Sequence, residues 1–330
     1  MASAEQVSKL IESLQKEYGL GSAFKLTDSP ISDVTGWTDT GCGAINDIIG
    51  QPGIPDGRVT TILGPPSVGK TTLVAALITS FQERGGIPFL LPAEPFDRDR
   101  AIVLGVDPDN LVILDAGTVE HNFSMINHIC EHAPGGDTPT LVLWDSFSAS
   151  PTKAELDAEP GFEGKAMGEH SRLVSQQMRK LQSKMEAGNI AFVVVLQSKS
   201  KIGISYGSQT TYLAEKPWHF YSYVQLELKR IGNVKRGDAE IGIKTKFTCK
   251  KNKCGSPFRS AEVELLFEDG FDSTGGILEK AIRNGIVVLG KGKGRFVLKY
   301  EDGTEVKFTR RKWPTILREN PPLEQHIRSL

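Results

Sequence analysis

VTTILGPPSVGKTTLVAALITSFQER, residues Val59 to Arg84, sets a β-branched apolar run, a glycine loop and a helical stretch in direct succession. The loop GPPSVGKTT fits the spacing G-x-x-x-x-G-K-[ST], and it lies between strand and helix, where that spacing has a physical use. Backbone N–H groups of such a loop, with the positive end of the helix behind it, cradle phosphate oxygens. Gly64, Pro65, Pro66, Ser67, Val68, Gly69, Lys70, Thr71 and Thr72 are therefore the candidate nucleotide-binding residues. Lys70 reaches the terminal phosphates and the Thr71 hydroxyl ligates Mg²⁺. The competing reading is a glycine turn before a helix, which requires motif and context to agree by accident.

Outward from this unit, short apolar runs alternate with helical stretches: PFLL, LVIL, TLVLW (Thr140 to Trp144) and IAFVVVL (Ile190 to Leu196). Continuous apolar strands separated by helices predict a parallel sheet covered on both faces. YVQLELKRI, IKTKFTCKKNK and AEVELLFED instead alternate apolar with polar residues, which predicts antiparallel strands extending that sheet. TLVLW ends in Asp145, at the strand end where a metal-bound water shell needs a carboxylate; a helix N-cap is the competing role. PFLLPAEP places Glu94 past another strand end, where a carboxylate can orient and deprotonate an attacking water, or serve as an ordinary loop acid.

The chain has 330 residues, 39% hydrophobic and 24% charged, enough for a large core and a second small unit. With 39 basic against 40 acidic residues, any polyanion site must come from local clustering. Cys42, Cys130, Cys249 and Cys254 lack CxxC spacing, which argues against a zinc site or disulfide framework and for a reducing, cytoplasmic setting. No apolar run approaches the length of a membrane span, and the start has no apolar signal core.

Near the start, Val7, Leu10, Ile11, Leu14 and Tyr18 give a helix one apolar face, to be docked on its own domain or on a neighbouring subunit. GSAFKLTD after it reads as a possible strand. Beyond Gly270, GGILEKAIRNGIVV reads as a short helix and GRFVLKY-EDGT-EVKFT as a hairpin turning at Asp302 and Gly303. Lys291, Lys293, Arg295, Lys299, Lys307, Arg310, Arg311 and Lys312 there face only Glu301, Asp302 and Glu305, a basic surface suited to gathering duplex DNA or simply a solvated hairpin face.

Five ordered stretches carry a family resemblance: GIPDGRVTTILGPPSVGKTTL, LGVDPDNL, SQQMRKL, VVVLQSKSKIGISYG, and LELKRIGNVKRGD followed by KKNKCGSPF. Over nearly its whole length the chain resembles the bacterial-type RecA family of recombinases. The likeness implies an α/β, RecA-like P-loop ATPase core with a central, mainly parallel sheet, an N-terminal helix-strand arm and a small α+β C-terminal domain. The boundaries expected are 1–33 for the oligomerisation arm, 34–270 for the core with its DNA-binding loops and 271–330 for the C-terminal domain.

By that resemblance Glu94 activates water, Asp145 serves the Mg²⁺ shell, Gln197 senses the terminal phosphate, and Asp97 and Arg100 fall where the family contacts adenine. An aromatic is usual near the second of these positions; the planar guanidinium of Arg100 can also stack. Lys251 and Lys253 match a lysine pair that reaches the ATP of the adjacent subunit, where cations stabilise charge growing in the transition state. A solvated charge run is the competing reading of KKNK.

Ser198 to Tyr212 then reads as a loop that orders only on a polyanion, coupled through Gln197 to the nucleotide. Ser198, Lys199, Ser200, Lys201, Ile202, Gly203, Tyr206 and Gly207 are its candidate DNA contacts: lysines for phosphates, Ile202 and Tyr206 for stacking against bases. Lys153 to His170 resembles the family's other DNA loop, with Met167 a candidate contact. On the helix HSRLVSQQMRKLQSKM, Leu173, Val174, Met178, Leu181 and Met185 form a core stripe, leaving Arg172, Ser175 and Arg179 to meet a phosphate.

Two features depart from the family pattern. Leu213-Ala214-Glu215 stands where paired glycines are usual, and the sequence stops at Ser329-Leu330 without the acidic tail many relatives carry, a form that resembles phage-encoded versions as well as bacterial ones. The implied activity is DNA-dependent ATP hydrolysis coupled to pairing and strand exchange between single-stranded DNA and homologous duplex, by subunits joined head-to-tail into a filament, with Phe24, Leu26 and Phe220 as interface candidates. A hexameric helicase on the same core and an ATP-dependent recombination mediator are the alternatives.

Overall fold

The computed structural model describes residues 4–28, 34–133, 138–158, 168–200, 210–268, 270–271, 277–278, 281–292, 295–300, 303–309 and 312–329. The chain divides into two compact units, Met1–Thr35 and Gly36–Leu330.

In the first unit, helix α1 (Ala4–Tyr18) has the predicted period, and Leu10 at 62% and Tyr18 at 68% exposure lie on its apolar face. Gly19, at φ 99°, stops it, and its amide donates to the Gln15 carbonyl at 3.0 Å. The Gln15 side-chain amide donates to the Ala23 carbonyl at 2.7 Å, folding the next segment back. GSAFKLTD is not a strand here: Leu26–Asp28 forms a single 3-10 turn. A strand exists only where a second edge satisfies its backbone groups, and apolar alternation alone does not supply one.

The second unit is built on the strand–loop–helix of the opening stretch. Its ten-stranded sheet includes β3 (Val59–Gly64), β4 (Ile87–Pro92), β5 (Val112–Ile113), β6 (Thr140–Asp145), β7 (Ile190–Ser200) and β9 (Val224–Arg236), in the order β9-β3-β7-β6-β4-β5 and all parallel. Strands β10 (Ala239–Asn252), β11 (Ser260–Leu266) and β12 (Gly270–Phe271) continue beyond β9 as antiparallel neighbours, as their alternation predicts. LVIL gives only the two-residue strand β5 at the edge of the sheet, and both of its residues are exposed.

Both sheet faces are covered. Leu141, Leu143, Val193 and Val195 pack on one side with Leu73, Leu77, Ile78 and Phe81 of α3 (Lys70–Glu83). Val142, Trp144, Phe192, Val194 and Leu196 pack on the other with α5 (Val119–His132), α7 (Glu169–Ala187) and α8 (Glu215–Tyr221). Leu173, Val174, Met178, Leu181 and Met185 all lie buried in this second cluster, so the α7 methionines are packing residues. Trp144, Phe147, Phe123, Phe192 and Trp218 meet there mostly edge to face, a rigid floor beneath the strand ends.

A third cluster holds the C-terminal part: Ile277, Leu278, Val287, Leu298, Phe308, Trp313, Leu317 and Ile327 enclose the antiparallel sheet β13 (Val287–Leu289), β14 (Arg295–Lys299) and β15 (Glu305–Thr309). The β14–β15 hairpin is the one predicted; Asp302 lies outside the described residues, while Gly303 has φ 84° and donates to the Tyr300 carbonyl at 3.0 Å. Lys291, Arg295, Lys307 and Lys312 line a cleft of about 650 Å³ with Phe296 and Phe308. Among the described residues no helix is long and apolar enough to cross a membrane.

Candidate nucleotide site

Parallel pairing brings the carboxyl ends of the central strands to one edge. Gly64 of β3 stands opposite Gln197 of β7, and Pro92 of β4 opposite Asp145 of β6. The phosphate loop leaves that edge through Ser67 at φ 58° and Gly69 at φ 98°. The positive φ of Gly69 is a conformation that residues with a Cβ rarely adopt, and a Cβ there would also displace the Leu265 side chain, whose Cδ1 would stand 2.3 Å away. Val68 is buried, and its carbonyl accepts the Thr245 hydroxyl at 3.1 Å, anchoring the loop to β10.

Lys70 opens α3 almost fully buried, and its Nζ donates to the Pro65 carbonyl at 2.6 Å. Burial pulls the Lys70 pKa below the ordinary lysine value, against the opposing charges of Asp145 and Glu94. Thr71 Oγ1 donates to Asp145 Oδ2 at 2.9 Å. Burial pushes the Asp145 carboxyl above its usual range and Glu94 adds to the push, while the Thr71 bond and the Lys70 charge counter it. The Thr71 hydroxyl and Asp145 carboxylate form an oxygen pair of the kind a hard divalent cation takes.

Glu94 stands beside this pair. Its Oε1 accepts Gln197 Nε2 at 2.5 Å and also the Ser146 hydroxyl, while the Gln197 backbone amide donates to Ser148 Oγ at 3.1 Å. Ser146 occupies the N-cap position of the short turn Phe147–Ala149 but makes no side-chain cap bond, so its hydroxyl serves Glu94 instead. Ser146 and Ser148 are missed as site residues by the sequence reading; the hydroxyl-rich run after Asp145, DSFSAS, is the signal that could have found them.

The remaining candidates divide. Asp97 caps α4 (Arg98–Val103), accepting the Arg100 amide at 3.0 Å, and the Arg100 guanidinium donates to the Glu268 carbonyl at 2.9 Å. Lys251 Nζ donates to the carbonyls of His219 and Phe220, while Lys253 Nζ lies 5.8 Å from the Tyr223 ring centre. Phe220 is 70% exposed. On α7, Arg172 is exposed and paired with Glu169 at 2.7 Å, Ser175 donates to the Ser171 carbonyl at 2.7 Å, and Arg179 is exposed.

The expected loop from Ser198 begins later than predicted. Ser198, Lys199 and Ser200 continue β7 and pair antiparallel with Tyr212, Thr211 and Thr210 of β8 (Thr210–Tyr212). The β-branched Thr210 and Thr211 return along it, and the hydroxyls that read as loop chemistry are compatible with a two-stranded ribbon. Lys201, Ile202, Gly203, Tyr206, Gly207 and, in the other loop, Met167 lie outside the described residues. Ala214 occupies the left-handed region at φ 51° and ψ 36°, a conformation that favours glycine.

The RecA N-terminal domain family matches residues 5–272. The chain belongs to the RecA family. The Protein RecA of Clostridium tetani is 34% identical over 275 residues, covering 83% of this chain and 77% of that protein. The Protein RecA of Chlorobium chlorochromatii is 33% identical over 328 residues, covering 99% of this chain and 90% of its own length. That of Bifidobacterium breve is 32% identical over 315 residues. RecA-family membership agrees with the α/β core and its largely parallel sheet, and makes the chain ATP-dependent.

Proposed function

We propose that one strand, β7, links nucleotide to nucleic acid in this chain, with Gln197 as the coupling residue. The chain is a RecA-type recombinase and a DNA-dependent ATPase. What carries the coupling reading is the Gln197 Nε2 to Glu94 Oε1 bond of 2.5 Å, on a strand that continues directly into the Ser198–Ser200 ribbon.

In this reading Glu94 orients the attacking water and takes its proton, while Lys70 and the loop amides hold the phosphates. Thr71 and Asp145 would hold Mg²⁺, which when bound neutralises charge on the β- and γ-phosphate oxygens. Asp97 and Arg100 bound the adenine side. Lys251 and Lys253 serve the ATP of the next subunit in a head-to-tail filament, for which Phe24, Leu26 and Phe220 are contact candidates. Single-stranded DNA is held by the residues of the 198–207 segment, with Met167, Arg172, Ser175 and Arg179 on the second loop and its helix, and homologous duplex is the exchange partner.

The test is Gln197→Ala. ATP binding is expected within about twofold of the parent, while the ATP-stimulated gain in affinity for a single-stranded oligonucleotide falls at least about tenfold, a coupling loss of ordinary allosteric size. Normal ATP-stimulated binding by the variant would remove Gln197 from the pathway. Imaging on single-stranded DNA with a non-hydrolysable ATP analogue separates filaments from closed rings.

A further inference from the structure

Lys251 is held within its own chain. Its Nζ donates to the His219 carbonyl at 2.5 Å and to the Phe220 carbonyl at 3.0 Å, in the last turn of α8. A cation suits that position, because the final carbonyls of a helix lack intrahelical partners and carry the negative end of its dipole. Helix α8 has seven residues, too few to persist on propensity, so tertiary bonds must hold its end in place.

A chain of mostly buried polar groups does so. His219 Nδ1 stands 3.0 Å from Gln225 Oε1, and Gln225 Nε2 donates to Thr61 Oγ1 at 3.0 Å. Thr61 Oγ1 is 3.1 Å from Ser222 Oγ, which donates to the Trp218 carbonyl at 2.5 Å. The polarity runs one way: Ser222 spends its hydrogen on Trp218, so Thr61 donates to Ser222 and accepts from Gln225. The amide oxygen of Gln225 then faces His219, whose Nδ1 carries the hydrogen. Thr61 and Ser222 are fully buried, and such a chain holds its members firmly only when every one is satisfied. Thr61 lies on β3, three residues before Gly64.

We infer that His219 and Gln225 are positioning residues for Lys251: they fix the last turn of α8 to the phosphate-loop strand and so set the point from which the lysine reaches a neighbouring subunit's ATP. The inference rests on the proposed role of Lys251 in that neighbouring site. Because Lys251 contacts no part of its own phosphate loop in the bonds above, the effect falls on turnover and not on nucleotide affinity. Burial and the adjacent Lys253 charge pull the Lys251 ammonium below its ordinary pKa, consistent with a cation kept close to protein groups.

The experiment compares Lys251→Ala, His219→Leu and His219→Asn in the full chain, measuring steady-state ATP hydrolysis on saturating single-stranded oligonucleotide, with thermal melts as a folding check. Asn places an amide N–H near the position of imidazole Nδ1–H, whereas Leu removes the donor. His219 is exposed, so its two variants should melt like the parent, and the melt of Lys251→Ala separates loss of fold from loss of turnover. Lys251→Ala should lower kcat about a hundredfold, and His219→Leu about tenfold with KM for ATP unchanged. His219→Asn should return to within about twofold of the parent. Parental kcat in His219→Leu beside a defective Lys251→Ala overturns the positioning role alone, as does equal loss in the Leu and Asn variants. Parental kcat in Lys251→Ala overturns the reading on which the inference rests.

Discussion

The two groups of polar residues proposed for ATP chemistry differ in how completely one chain assembles them. Lys70, Thr71, Asp145, Glu94 and Gln197 come from one helix and the ends of three parallel strands, yet they are joined by direct hydrogen bonds and opposing charges at a single sheet edge. Lys251 lies on β10 and Lys253 just past its end, and the first of them is bonded to helix carbonyls instead of to any member of that group. The contrast teaches that strand register alone can complete the binding half of the site. The other half is chemically equipped but directed elsewhere, as expected if it acts on a second subunit.

The sharpest way to break this contrast is Lys70→Ala, which removes the charge from the completed half. Turnover should fall about a thousandfold with or without oligonucleotide, the upper range for one electrostatic contact, read by phosphate release. Glu94→Gln should lose about a hundredfold in turnover while still binding nucleotide, since a missing general base leaves the cradle intact. If its nucleotide affinity collapsed instead, Glu94 would belong to the cradle.

Mixing tests whether the halves belong to different chains. Lys70→Ala and Lys251→Ala chains, each inactive alone, should recover about a quarter of parental turnover at equal proportions, because a random head-to-tail array pairs one intact Lys70 with one intact neighbouring Lys251 at that frequency. No recovery would place both lysines in one chain's site. The smallest effect concerns two amphipathic helices. Leu181→Ala, in the buried stripe of α7, should cost about 2–5 kcal/mol in denaturant unfolding, while Leu10→Ala, exposed on α1, should stay within about 0.5 kcal/mol.

That last pair also marks how far sequence reading reaches. Val7, Leu10 and Leu14 repeat as regularly as Leu173, Val174 and Leu181, but periodicity states only that a face requires cover and not which surface provides it. The phosphate loop, Asp145 and Glu94 were legible because each follows directly on an apolar run, so local order already places them at strand ends. Ser146 on Glu94 was not, since the bond depends on β4 and β6 being neighbours while their sequences lie 52 positions apart. The same limit hid the route from Thr61 through Gln225 to His219. In GSAFKLTD, alternation suggested a strand where pairing within the unit does not make one.

Strand β7 is clamped between β3 and β6, with rungs running from Phe192 to Gln197 on one side and from Ile190 to Val194 on the other. A slip of one residue would swing Phe192, Val194 and Leu196 out of one apolar layer and Val193 and Val195 out of the other, so the strand cannot act as a sliding rod. It is an axle fixed along its length, and what can still change at its end is the rotamer of a side chain such as Gln197, at the last rung on β3. Signals crossing it should therefore arrive as a click between discrete rotamers, insensitive to how hard the far end is pulled.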